Sequence, residues 1–358
     1  MKTAIIVGTR PEIIKMSPVI HECDRLNLDY VLVHTGQHYS YAMDRVFFEQ
    51  LDLPQPGYNL NVGSGSHGTQ TGRILERVEQ VLQKESPEVV LVEGDTNTVL
   101  AGALAAAKLG IPVGHVEAGL RSYDRRMPEE VNRVLTDHCA DYLFAPTMQA
   151  ARILQGEGIS KDQIFVTGNT IVDAVMRSVD RAEQHNHVFE KYGLKPRGYF
   201  LATLHRQENV DDPTRFQGIL AGLDALKTTF DLPVIYPMHP RSGKNLKAFG
   251  LDALGVTLVE PLDYLEFLQL EQHARVVLTD SGGVQEETCI LGTPCVTLRE
   301  NTERPETVSV GANVVAGTSP EEIVACATVM FSKKNGWENP FGDGTAAKQI
   351  MRIVREEV

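Results

Sequence analysis

A chain of 358 residues is long for one domain and comfortable for two, and 42% hydrophobic with 23% charged residues is the balance of a soluble globular enzyme. A formal net charge of −13 repels phosphate backbones and anionic lipid heads, so neither nucleic acid nor membrane is expected as a general partner, although local cations can still hold a small anion. Cys23, Cys139, Cys289, Cys295 and Cys326 form no CxxC pair and suit no disulfide framework, so reduced thiols are expected. Residues 4–7 are too short an apolar run for a signal peptide, and no span of about 18 apolar residues occurs, so the expected location is the cytoplasm.

Short apolar, β-branched runs at residues 4–9, 30–36, 89–95, 112–119, 142–147 and 164–169 read as strands, with helix-period segments at 11–26, 71–84 and 98–109 between them. Strand alternating with helix predicts a parallel sheet covered on both faces. Gly8-Thr9-Arg10-Pro11-Glu12 closes the first run. Gly8 permits a tight turn, and Pro11 suits the first helical position, where its missing N–H is not needed. Freed N–H groups with Arg10, and Lys15 one turn on, favour an anion. An ordinary strand–helix turn with two surface cations fits the same residues. Neither GxGxxG nor the P-loop lysine is present.

Gly94-Asp95-Thr96, His115-Val116-Glu117-Ala118-Gly119 and Pro128-Glu129-Glu130-Val131-Asn132-Arg133 bring three acids, Asp95, Glu117 and Glu129, to the same presumed edge. Neighbouring carboxylates repel, which raises at least one pKa and prepares a general acid or base. Arg10, Lys15, Arg121 and Arg133 could hold the others ionised. Glu129 and Arg133, four apart, would equally make a surface ion pair on a helix, and Asp95 a strand cap.

The pattern restarts after residues 186–198, a polar stretch with Gly193, Pro196 and Gly198 that fits a junction. Runs at 199–205, 234–239, 256–262, 276–281, 294–299 and 313–317 read as strands, with helices at 214–230, 264–273 and 283–291 and a last helix at 346–354. The fold expected is α/β, two Rossmann-like doubly wound domains in tandem. His205 and Arg206 close the first of these strands and could bind and protonate a phosphate leaving group. His239, in Met238-His239-Pro240-Arg241, offers either a second such group or a structural histidine. Asp280-Ser281-Gly282-Gly283 opens a helix whose electropositive N-terminus and two glycines admit a diphosphate. Glu286 and Glu287 follow, placed either for vicinal ribose hydroxyls or for the helix dipole alone.

Arg10, Gln37, His38, Asp95, Glu117, His205, His239 and Asp280–Gly283 all fall at or just after the C-terminal ends of predicted strands, where open α/β sheets bind ligands. Two such edges facing each other would enclose a cleft. No HExxH, EF-hand spacing or G-x-S-x-G elbow occurs, so the expected site holds no metal and works with acids, bases and cations.

Seven motifs in order, GTRPEIIK (8–15), GDTNTVLA (94–101), HVEAGLRS (115–122), MPEEVNR (127–133), TLHRQEN (203–209), TDSGGVQEE (279–287) and ENTERPETV (300–308), closely resemble the non-hydrolysing UDP-N-acetylglucosamine 2-epimerases, nearest to archaeal-type members. The resemblance runs from about residue 3 to NPFGDG at 339–344. It implies a glycosyltransferase-B arrangement, with two Rossmann-like domains facing across a cleft. An N-terminal domain of 1–170 would be joined by the C-terminal helix 343–358, and 171–342 would form the UDP-binding domain. It further implies a homodimer that needs no cofactor, and a role in cell-surface polysaccharide synthesis.

The family's chemistry inverts carbon 2 of a UDP-linked amino sugar. UDP leaves, the C2 proton is lost to give a 2-acetamidoglucal, and UDP re-adds with a proton returned to the other face. Carried over by motif, the catalytic set is Arg10, Lys15, Asp95, Glu117, Glu129, Arg133 and His205. The UDP contacts are Arg10, His205, Arg206, His239, Ser281, Gly282, Gly283 and Glu287. Asp95, Glu117 and Glu129 are assigned to proton transfer and cation stabilisation, His205 and Arg10 to the leaving diphosphate.

Two departures stand out. Gln37-His38 is followed by Tyr39-Ser40, and the loop Gly63-Ser64-Gly65-Ser66-His67 lacks the Arg-Gln pair with which bacterial-type members bind an activating UDP-sugar, so substrate activation is not expected. The His205–Asn209 form differs from the common bacterial one and also occurs in epimerases of a 2,3-diacetamido uronic acid, which leaves the sugar's C3 and C6 groups open. A UDP-dependent glycosyltransferase, a hydrolysing epimerase and a nucleotide-sugar sensor are the competing readings.

Overall fold

The computed structural model describes residues 1–37, 41–183 and 187–358, and the side chains of 41–44 are left aside. His38, Tyr39, Ser40 and Asn186 therefore lie outside the described residues.

The first unit comprises Met1–Met176 and Phe341–Val358. Its strands β1 (Lys2–Val7), β2 (Asp29–His34), β3 (Tyr58–Asn59), β4 (Val89–Glu93), β5 (Val113–Val116), β6 (Tyr142–Ala145) and β7 (Ile164–Val166) are parallel, in the order β3-β2-β1-β4-β5-β6-β7. Ala4, Ile5, Ile6 and Val7 are all fully buried, as expected of a central strand covered on both faces. Ile5 sits opposite Leu32 on one side and Leu91 on the other. The sequence predicts six strands here. The seventh, β3, is a two-residue edge strand paired with Val33 and His34, too short to leave a pattern of its own.

The second unit comprises Arg177–Pro340. Its strands β8 (Phe200–Thr203), β9 (Val234–Pro237), β10 (Thr257–Val259), β11 (Val276–Thr279), β12 (Cys295–Thr297) and β13 (Asn313–Val315) are parallel, in the order β10-β9-β8-β11-β12-β13. Phe200, Phe216, Leu223, Val276 and Ile323 form part of its core. Each of the six runs predicted for this half contains one of these strands. The helices Tyr41–Gln50, Met148–Gly156, Thr170–Ala182 and Pro320–Phe331 lie outside the predicted helical segments.

Both units are Rossmann-like. In each the chain winds outward on one side, then returns to the middle and winds the other way. The reversal falls between β1 and β4 in the first unit and between β8 and β11 in the second. Ligands of doubly wound sheets bind at this switch point, beyond the carboxyl ends of the strands.

The C-terminal helix Ala346–Glu357 returns to the first unit. Its N-cap residue, Thr345, makes no side-chain cap. Asp173 caps it instead, accepting from the backbone N–H groups of Ala346 and Ala347 at 3.2 and 3.0 Å. Met351 on its buried face meets Cys23 of the helix Arg10–Arg25, sulfur to sulfur at 3.9 Å.

Candidate functional site

At the first switch point, Gly8 follows β1 so tightly that a Cβ there would stand 2.1 Å from Thr98 Oγ1 and 2.3 Å from Thr35 Oγ1. Only glycine allows that approach. The helix Arg10–Arg25 then starts with Pro11 in its first turn. Glu12 reaches back to accept from the Gly8 N–H at 2.7 Å and the Thr9 hydroxyl at 2.8 Å, and its Oε1 also accepts from the Thr96 hydroxyl at 2.8 Å. One buried carboxylate thus ties the turn after β1 to the turn after β4. Burial drives its carboxyl up to about 7, against the pull of those three donors.

Lys15, one turn along the helix, is buried and ion-paired with Glu117, and its Nζ also lies 3.4 Å from Glu93 Oε1. Glu117 adopts φ +68°, a left-handed conformation that costs a non-glycine residue about 1–3 kcal/mol and recurs at functional sites. Asn169 donates its side-chain amide to Glu117 Oε2 at 3.2 Å. Asp95, just beyond β4, is held by Arg133, which also pairs with Glu130 at 2.6 Å. Asn132 donates to the Asp95 carbonyl at 3.0 Å and fixes the loop's backbone. Glu129 is half-buried in the first turn of the helix Pro128–Cys139, which also carries Asn132 and Arg133. Arg10 is half-buried, its guanidinium 4.9 Å above the Phe47 ring.

One sequence candidate has other partners. Arg121 is bound to Asp137 at 2.7 Å and to Glu157 at 2.6 Å rather than to the three acids. His115 bridges Asp137, at 2.7 Å, and the Gly94 carbonyl, at 2.9 Å, so it braces the turn that carries Asp95. Gln37 Oε1 accepts from the N–H and hydroxyl of Thr98 at 3.2 and 2.7 Å, which anchors the start of the helix Asn97–Lys108.

At the second switch point, Asp280 is fully buried beyond β11 and accepts from the backbone N–H groups of His205 and Arg206 beyond β8, at 3.1 and 3.0 Å. Asn209 donates to it at 3.1 Å, and His205 Nδ1 lies 3.0 Å from it. Burial alone would raise the Asp280 carboxyl, but these donors hold it below its ordinary value. With Nδ1–H engaged, Nε2 is the nitrogen His205 can present, and its side chain is 49% exposed.

Ser281 caps the helix Gly282–Leu291 by accepting from the Val284 N–H at 3.5 Å. The Arg304 guanidinium carbon lies 3.7 Å from where a Gly282 Cβ would be, and Nε of Arg304 donates to buried Glu286 at 2.5 Å. A fixed cation therefore stands beside the helix N-terminus and strengthens its attraction for an anion. Glu286 belongs to that arginine. Glu287, one residue on, is 7% exposed and close to Tyr264. Arg206 lies 3.7 Å from Glu303, which also pairs with buried Arg299 at 2.7 Å. Burial would raise the Glu303 carboxyl, yet Arg206, Arg299 and Arg304 lower it to about 2. His239 caps the helix Pro240–Ala248, its Nδ1 accepting from the Arg241 N–H at 3.2 Å.

Sequence reasoning assigned no role to Arg304, to Asn169 and Asn132, or to Asp280 as the partner of His205. Only Asp280 had a local signal, its place at a strand end directly before Ser281-Gly282-Gly283. The others act on residues 18 to 52 positions away, beyond any local pattern.

Comparison with known proteins adds four findings. Residues 21–355 match the family described as UDP-N-acetylglucosamine 2-epimerase. A UDP-N-acetylglucosamine 2-epimerase of Methanocaldococcus jannaschii is 54% identical, over 99% of both chains. Its crystal structure in complex with UDP-GlcNAc and UDP superposes with a TM-score of 0.94 at 53% identity, covering 99% of this chain and 100% of that one. A UDP-2,3-diacetamido-2,3-dideoxy-D-glucuronate 2-epimerase of Pseudomonas aeruginosa is 43% identical, again over 99% of both chains.

Proposed function

The chain belongs to the UDP-N-acetylglucosamine 2-epimerase family, and from that premise we propose that it interconverts UDP-N-acetylglucosamine and UDP-N-acetylmannosamine by inverting carbon 2. The observation that carries the reading is the cluster at the first switch point: Lys15 on Glu117 and Arg133 on Asp95, beside a helix whose first turn holds Glu129.

The C2 proton of a sugar is not acidic, because no carbonyl adjoins it. Departure of UDP from C1 develops positive charge there, and that charge acidifies C2. A carboxylate then takes the proton and leaves a 2-acetamidoglucal. UDP re-adds while a second acid returns a proton to the opposite face. Asp95, Glu117 and Glu129 are the candidates for these transfers, with Lys15 and Arg133 keeping their partners ionised. His205, Arg206, Arg10 and the N-terminus at Ser281-Gly282-Gly283 take the departing diphosphate, which leaves most readily where positive charge meets it. Glu287 accepts from the ribose hydroxyls. His239 completes the UDP contacts, and the working protein is a homodimer.

Higher identity to the UDP-N-acetylglucosamine enzymes than to the diacetamido-uronate enzyme, 54% against 43%, favours the simpler sugar. The test is to incubate the protein with UDP-N-acetylglucosamine alone, with and without EDTA, and to separate the products. The expected result is a C2 epimer still attached to UDP, formed equally under both conditions. Free UDP with a released sugar would mean hydrolysis. Turnover of only the 2,3-diacetamido uronic acid would replace the substrate but keep the chemistry.

A further inference from the structure

The first unit places one ammonium between two buried carboxylates. Lys15 Nζ lies 3.4 Å from Glu93 Oε1 and closer still to Glu117 Oε2. Glu93, the last residue of β4, is 2% exposed, and Glu117, just beyond β5, is 8% exposed. At that depth two ionised carboxylates repel each other and lose their hydration, and a single cation does not offset both costs. One of the two acids is best kept neutral. The surroundings decide which. Glu117 receives the shorter Lys15 contact and the Asn169 amide, whereas Glu93 Oε1 accepts no hydrogen bond from the described residues.

We propose that Glu93 is a positioning residue: as a neutral acid it packs against Lys15 without claiming its charge, and so keeps Lys15 on Glu117 and Glu117 ionised. The inference rests on the reading of Lys15 and Glu117 as part of the reacting machinery. The groups facing Glu93 are Lys15 and Glu12 from the helix Arg10–Arg25, Glu117 beyond β5, and Asp95 two residues along. Burial drives the Glu93 carboxyl well above its usual range. Lys15 opposes this, and Glu117, Glu12 and Asp95 add to it. When Glu93 does ionise at high pH, a second anion competes for Lys15, and the pairing on which Glu117 depends is weakened.

The test compares wild type with Glu93→Gln, a permanently neutral isostere, and Glu93→Ala. In Glu93→Gln the alkaline limb of kcat/KM moves up, so its ratio to wild type grows about tenfold from neutral to alkaline pH. Glu93→Ala lowers kcat more than Glu93→Gln does, with KM moved less than kcat. A purely structural glutamate would leave the limb in place, and superimposable pH profiles for Glu93→Gln and wild type overturn the proposal. Infrared spectroscopy of the substrate-free protein gives a reading independent of turnover. The neutral carboxylic-acid C=O absorption of wild type at neutral pH should lose intensity in Glu93→Gln beyond what Glu12 contributes, and an unchanged absorption overturns the inference. Glu93→Met serves in the same comparison if Glu93→Gln does not fold. Failure of UDP-N-acetylglucosamine to react would count against the proposed function and leave the infrared result standing.

Discussion

At the residue scale, the two switch points use one device: a side chain proposed to meet the substrate is held by a buried partner. Asp280 holds His205 by Nδ1, and Arg133 holds Asp95. Breaking a buried pair by removing one member costs about 3–5 kcal/mol, so isosteres are the informative variants. Asp95→Asn keeps the shape of the side chain and removes its charge. We expect epimerisation to fall at least about 1,000-fold while UDP affinity stays within about threefold. Loss of both would make Asp95 a structural residue. Glu12 offers a test through stability instead. Its carboxyl is raised from 4.5 to about 7 in the folded protein, so the native state binds the proton more tightly than the unfolded chain does. The resulting stabilisation is complete below about pH 4.5 and is lost as pH rises through about 7. Denaturation midpoints of wild type should therefore fall over that window relative to Glu12→Gln. Parallel curves would place the Glu12 proton elsewhere.

At the element scale, the helix Gly282–Leu291 is the proposed diphosphate site, and Ser281 both caps it and borders the space in front of its free N–H groups. Ser281→Trp removes a cap worth about 1 kcal/mol, which a folded domain tolerates, and fills that space with an indole. UDP affinity measured by calorimetry should drop by about 100-fold or more. Unchanged affinity would move the diphosphate elsewhere. The central elements were legible in the sequence because a buried parallel strand is a short β-branched run that ends where a glycine or polar residue must turn the chain. Tyr58–Asn59 was not, since two half-buried edge residues carry no period. The helix Pro320–Phe331 is marked by Ser319 and Pro320 at its start, but alanine and cysteine blur its apolar face, and only packing in the second core defines it.

At the scale of the whole molecule, two sheets with the same reversal of strand order each bring their polar residues to one edge. That placement was readable from strand ends alone, because topology decides where those ends converge. The pairings were not readable. Nothing local in the sequence tells Arg121 to seek Asp137 and Glu157, or Arg304 to stand beside Gly282. Such contacts depend on how helices settle against the sheet. The central claim is that this chain inverts carbon 2 through loss and return of a proton. Proton NMR of UDP-N-acetylglucosamine with the purified protein in D2O tests it most directly. The account predicts UDP-N-acetylmannosamine carrying deuterium at C2, with deuterium also entering the returning UDP-N-acetylglucosamine. Epimer formed with the C2 proton fully retained would contradict it.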